Sequence, residues 1–185
     1  MKLTVHERKN LAKSETNKIR REGNIPAVLY GKGKENRNIV LNGEELRAIL
    51  RGQKSGLLST TIFHIHDGKQ TYKAIIKDIH YHVADYTILH VDLTVLEDHQ
   101  PVSVNVPIQV VGSGDCVGVK LGGFLRQVIR SMKVSCLPKD IPQEFVLDVR
   151  ELNIAQSKRL SDIVLPASVR PLAKLNEIAV VIAKK

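Results

Sequence analysis

The chain has 185 residues, 43% of them hydrophobic and 25% charged, with no tryptophan and a formal net charge of +9. No apolar run reaches the roughly 18 residues a membrane span needs, and the opening MKLTVHERKNLAKSETNK has no apolar stretch behind its charges, so neither a membrane protein nor a secretory signal is expected. The basic surplus instead favours a polyanionic partner.

In chain order, short β-branched or apolar runs bounded by Gly, Pro, Asn or Asp predict strands over 3–6, 27–30, 38–41, 58–66, 71–79 and 86–94. Asp67-Gly68, between His66 and Lys69, is a strong short hairpin signal. Two helices interrupt the strands. Thr16 is the expected cap of a short helix through Glu22, stopped by Gly23 and Pro26; with only Ile19 to point inward, it leaves Lys18, Arg20 and Arg21 free for a partner. Asn42 is expected to cap a second helix through Leu50, with Glu45 completing a capping box and Leu46, Ile49 and Leu50 forming its apolar stripe before Gly52. At Leu96-Glu97-Asp98-His99-Gln100-Pro101 the chain turns polar and acidic, which places a domain boundary between residues 1–95 and 96–185. Beyond it, strands are predicted over 102–111, 124–137, 144–149 and 178–183, with a glycine-rich connection at 112–123. The expected architecture is mainly antiparallel β in two domains: an N-terminal β-barrel-like domain with short helices, then a C-terminal antiparallel β domain.

The charge is unevenly placed. Residues 1–37 carry ten Lys/Arg against four acids, net +6, whereas residues 38–95 hold six of each and residues 96–185 hold twelve against nine. Such a local footprint suits an anion-binding surface. The segment from Arg8 to Arg21 mixes cations with Asn, Ser and Thr donors, a set suited to phosphate and 2′-hydroxyl contacts. His90 and Asp92 share one face of a strand while Leu89, Val91 and Leu93 supply the other. A carboxylate is a poor neighbour for phosphates and helps only by accepting from base N–H groups; taken alone, His-x-Asp is read as a solvated face.

Other chemistry is weaker. The glycines at 112–123 match neither GxxxxGK[ST] nor GxGxxG, and no helix is expected directly after them. His64 with His66 and His80 with His82 alternate as some metal ligands do, but no third ligand stands at fixed spacing and no metal is expected. Cys116 and Cys136 stand alone and are read as buried thiols in a reducing cytosol. No catalytic triad or carboxylate pair can be defended, so no enzyme and no cofactor are expected.

The run Ile25-Pro26-Ala27-Val28-Leu29-Tyr30-Gly31, preceded by the basic helix and followed by Leu89-His90-Val91-Asp92, resembles ribosomal protein twenty-five of the bacterial large subunit, in its long two-domain (CTC) form. Val104-Asn105-Val106-Pro107-Ile108, Gly122-Gly123-Phe124-Leu125, Asp140-Ile141-Pro142 and Leu152-Asn153-Ile154 extend the resemblance over essentially the whole chain. It implies a cytoplasmic, ribosome-bound protein that grips the loop E region of 5S ribosomal RNA with its N-terminal domain in the central protuberance, beside other large-subunit proteins and RNA. No membrane or small-molecule partner is implied. Carried over by motif, the RNA-binding residues are Arg8, Lys13, Thr16, Lys18, Arg20, Arg21, Tyr30, Gly31, His90 and Asp92, and the His-x-Asp face becomes a base-reading pair. Thr16-Asn17-Lys18 stands where many relatives carry Ser-Arg-Arg, Val83 and Leu93 replace a common proline and aromatic, and Ala155 replaces a usual glycine. The alternative class is a free-standing stress-response adaptor that contacts proteins, its RNA surface vestigial.

Overall fold

A computed structural model describes residues 1–8, 12–31, 36–54, 56–66 and 71–184, and the chain divides into two compact units, Met1–Gln100 and Pro101–Lys185.

In the first unit, strands β1 (Lys2–Glu7), β2 (Ile25–Tyr30), β3 (Arg37–Leu41), β4 (Ile62–His66), β5 (Thr71–Tyr81) and β6 (Ile88–Val95) close into a barrel in the ring order β1-β3-β2-β6-β5-β4. Closure leaves no open sheet edge. Four neighbouring pairs are antiparallel; β1·β4 and β2·β6 are parallel and lie at opposite points of the ring. Alternation along each strand sends Leu3, Val5, Leu41, Phe63, Ile65 and Leu93 into the buried centre. Each such side chain contributes about 1.5–3 kcal/mol of burial.

Helix α1 (Lys13–Arg21) lies between β1 and β2, and α2 (Gly43–Gly52) between β3 and β4. Asn42 caps α2 as expected, its side chain accepting from the backbone N–H of Glu44 and Glu45 at 2.9 and 3.3 Å. The box does not close, because Glu45 turns to β1 and accepts from the Thr4 N–H and hydroxyl at 2.9 and 3.2 Å. Leu46 is fully buried, with Ile49 and Leu50 packed beside it. Helix α2 and the turn after α1 meet tightly at Gly43: a Cβ there would lie 1.9 Å from the Gly23 carbonyl oxygen.

Several boundaries differ from expectation. Helix α1 starts at Lys13, so Thr16 lies inside it; its hydroxyl donates back to the Ala12 carbonyl at 3.1 Å instead of capping the first turn. The run at 58–66 is not one strand: Leu57–Thr60 forms a 3₁₀ turn after Gly56 (φ +92°), held by the Thr60 and Thr61 hydroxyls donating to the Leu57 carbonyl at 3.0 and 2.8 Å. Strand β6 starts at Ile88, not 86, since Tyr86 is left-handed (φ +55°) and donates its N–H to the His82 carbonyl at 3.0 Å. The Asp67-Gly68-Lys69 hairpin signal lies outside the described residues, although the flanking β4 and β5 pair antiparallel with His66 opposite Thr71.

The second unit holds β7 (Val102–Val111), the single-turn α3 (Val117–Lys120), β8 (Phe124–Gln127), β9 (Ser131–Cys136), β10 (Phe145–Asp148), β11 (Ser157–Arg159), β12 (Arg170–Pro171) and β13 (Ile178–Ala183). They form a four-stranded sheet, β10-β7-β9-β12, and a three-stranded sheet, β11-β13-β8; all pairs are antiparallel except β10·β7. The predicted strand 124–137 is split between the two sheets. At the corner the N–H groups of Val128 and Ile129 both donate to the Ala179 carbonyl, at 2.9 and 3.2 Å, while the Gln127 amide serves the Ile108 and Ile129 carbonyls. Helix α3 falls within the glycine-rich connection, where only a connecting loop was expected. Cys116 and Cys136 are free, buried thiols; Cys116 donates to the Leu152 carbonyl at 3.2 Å, and burial, then Asp140, pushes the Cys136 thiol up and keeps it protonated.

Candidate nucleic-acid interface

Helix α1 is poor in apolar groups and buries only Ile19, so polar ties hold it to the barrel. At one end the Arg8 guanidinium donates to the Thr16 hydroxyl at 2.6 Å, and the Arg8 N–H donates to the Asn38 carbonyl at 2.9 Å. At the other, Arg20 donates through Nε and Nη2 to the Leu89 carbonyl of β6 at 3.1 and 3.0 Å. Arg20 is therefore not free, as the sequence suggested, but fixed beside the strand that carries His90 and Asp92. Arg21 folds back through Nε to the Asn17 carbonyl at 3.3 Å. Lys13 and Lys18 are exposed. Lys9, Asn10 and Leu11 of the basic segment lie outside the described residues.

On β6, Val91 and Leu93 are buried while His90 and Asp92 face outward, their side chains 28% and 23% exposed. His90 Nδ1 lies 3.0 Å from an Asp92 carboxylate oxygen. Burial, and then the His80 and Arg20 charges, hold the His90 imidazole below its ordinary range against the opposing pull of Asp92. A neutral ring facing a carboxylate keeps its proton on Nδ1, which leaves Nε2 as an acceptor. The pair thus presents acceptors only.

The neighbouring strand doubles this motif. Asp78 and His80 of β5 stand in register with Asp92 and His90, so Asp-x-His opposes His-x-Asp across the antiparallel pair. His80 Nε2 lies 3.4 Å from Asp78, and the His80 and His90 rings meet edge-on with centroids 6.0 Å apart. Sequence reasoning missed this pair by coupling His80 to His82, whereas His82 belongs to the turn and meets Asp85 at 2.7 Å. The reversed order of the two motifs was the available signal, since antiparallel pairing brings like residues together. Two carboxylates directly opposed on a sheet repel, and here Arg20 sits at the edge of the cluster.

On the other side of β6, Val28 pairs with Asp92 and Tyr30 with Thr94, so Tyr30 stands one outward step beyond the acceptor pair. Tyr30 and Gly31 are half-buried at the strand end. The fold therefore gathers Arg20, His90 and Asp92 closely, ties Arg8 to Thr16 nearby, and sets Tyr30 along the same seam. Among the described residues no group of three or more His, Cys, Asp or Glu side chains is placed to hold a metal ion.

The profile of the Ribosomal L25p family matches residues 3–93, and that of the ribosomal protein TL5 C-terminal domain matches residues 101–185. Proteins named large ribosomal subunit protein bL25 are similar over the full length of both chains: 45% identical in Chlamydia abortus, 45% in Chlamydia trachomatis serovar L2, and 40% in Chlamydia pneumoniae.

Proposed function

The chain belongs to the bL25 family of bacterial large-subunit ribosomal proteins, in its long two-domain form, and on that premise we propose that its barrel binds the loop E region of 5S ribosomal RNA in the central protuberance. Membership makes it a non-enzymatic component of the cytoplasmic ribosome, translating with ribosomal RNA and protein neighbours, and displaces the free-standing adaptor.

The observation that carries the reading is the acceptor pair His90 and Asp92, set beside Asp78 and His80 and flanked by Arg20 and the cationic helix α1. A surface built only for phosphates would exclude carboxylates. One that mixes them with cations suits an RNA whose base N–H groups are exposed, as in an irregular helix with a reshaped groove. Lys13, Lys18 and Arg21 supply long-range attraction, and Arg8 and Arg20 orient the helix while keeping charge at the groove. His90 and Asp92 accept from base amino groups, and Tyr30 offers a ring or hydroxyl at the rim. We assign the second unit, residues 101–185, to bracing neighbouring ribosomal components.

The test is binding of the full chain to a 5S loop E hairpin and to a regular RNA duplex across a salt series. Preference for the hairpin by about tenfold or more, persisting at high salt, is the expected result. Equal, steeply salt-dependent binding to both would leave only a basic surface.

A further inference from the structure

The histidines His64 and His66, unused by the surface above, lie on β4, on the far side of β5 from His90 and Asp92. In the ring order the β1·β4 seam is the antipode of β2·β6, and β5 carries residues of both surfaces, Lys73 on this one and Asp78 with His80 on the other. The register there is regular: Lys2 pairs with His64 and Thr4 with His66 across β1·β4, while His64 pairs with Lys73 and His66 with Thr71 across β4·β5. Two rows result, Lys2–His64–Lys73 and Thr4–His66–Thr71, and all six residues are exposed. All but Lys73, together with Leu3, line a surface hollow of about 420 Å³.

We infer that this wall is a second RNA-backbone site, so that the barrel bridges two RNA segments. Every side chain of the grid can donate a hydrogen bond, and two carry fixed positive charge. Rows spaced roughly 6.6 Å along the strands and roughly 4.8 Å between them offer donors to several phosphates of one strand rather than to a single compact anion. The His66 ring is steadied by the Thr71 hydroxyl at 3.2 Å from Nδ1. Among the described residues, Glu45 contacts the grid on the Thr4 side, and both its oxygens are taken by the Thr4 N–H and hydroxyl. The donor-rich centre is therefore His64 with Lys2 and Lys73. Unlike the acceptor-bearing β5·β6 surface, nothing in the grid accepts preferentially from base N–H groups, so this wall holds phosphates without reading sequence.

The experiment saturates the full chain with labelled loop E hairpin, then adds a short regular RNA duplex at low salt and follows ternary complex formation by sedimentation. Wild type is compared with Lys2→Ala/His64→Ala/His66→Ala/Lys73→Ala. We expect wild type to recruit the duplex and the variant to lose it by at least about tenfold, with a salt slope smaller by about two. Unchanged hairpin affinity in the variant shows that it is folded. Two-dimensional NMR adds a local readout: duplex should move the His64 and His66 ring signals and leave His90 in place. Three results would overturn the inference: duplex binding equal in the variant, duplex displacing the hairpin, or an oligoglutamate peptide outcompeting the duplex at this wall, which would mark it for an acidic protein. Failure of the hairpin to bind selectively would sink the 5S reading alone, because duplex binding that depends on the four residues would stand without it.

Discussion

The two units carry nearly the same net charge, sixteen Lys/Arg against twelve acids in residues 1–100 and twelve against seven in 101–185, yet they use it differently. In the barrel the surplus is collected on α1 and the end of β1, next to a cluster of acceptors. In the second unit cations are scattered among exposed apolar side chains such as Leu121, Phe124, Val128 and Val146, and the two sheets keep open edges. The lesson is that net charge per domain says little about RNA recognition. Placement against a rigid, edgeless frame says much more.

That comparison can be broken at two glycines where helices pack closely against neighbouring backbone. Gly43→Ala puts a methyl group 1.9 Å from the Gly23 carbonyl, so α2 must shift; we expect a loss of about 3 kcal/mol or more, read by hydrogen exchange of the full chain and confined to residues 1–100. Gly118→Ala in α3 meets Asn153 and Ile182 at 2.8 and 2.9 Å, and a smaller loss of about 2 kcal/mol should fall only on the second unit. If either substitution lowered protection in both units alike, their description as separate compact units would fail.

A gain of stability is expected at Ala155. Its backbone is left-handed (φ +68°), a conformation that favours glycine, and is held by its N–H donating to the Ile182 carbonyl at 2.8 Å. Ala155→Gly should relieve about 1 kcal/mol of strain, visible as a higher denaturant midpoint for the second unit. An unchanged or lower midpoint would mean that the turn carries no strain.

The smallest effect is a pH dependence confined to the barrel. His90 titrates below its unfolded value of about 6.5, chiefly because it is buried. The unfolded chain therefore binds more protons in that window. Stability from this group is full above about pH 6.5 and falls as pH drops through the lowered folded value. Denaturant midpoints at neutral and mildly acidic pH should diverge for wild type and diverge less for His90→Gln.

How much of this was legible follows from the residues. The barrel strands could be placed because period-two alternation, as in Leu3 and Val5, is a local signal. The Asn42 cap was local too. The corner at Val128–Ile129 was not, since it depends on Ala179, some fifty residues away in sequence. The start of α1 was misjudged because Thr16 suits a cap by type, while its hydroxyl is occupied by Arg8 and the Ala12 carbonyl. At the candidate site, His90 with Asp92 could be seen as a pair. Their coupling to Asp78 and His80 required the β5·β6 register, and the fixing of Arg20 required knowing that Leu89 ends beneath α1.

The most direct test of the account compares two variants on both RNAs: Asp92→Ala, which removes a base acceptor, and Lys13→Ala/Lys18→Ala, which removes phosphate partners. Asp92→Ala should cost about 1.5–3 kcal/mol, or about one to two decades of affinity, on the loop E hairpin alone, with the salt slope unchanged. The lysine pair should weaken hairpin and duplex alike and reduce the salt slope by about two. If Asp92→Ala instead tightened binding to both RNAs, as removal of a repelling charge from a plain phosphate surface would, the claim that this face reads bases would be contradicted.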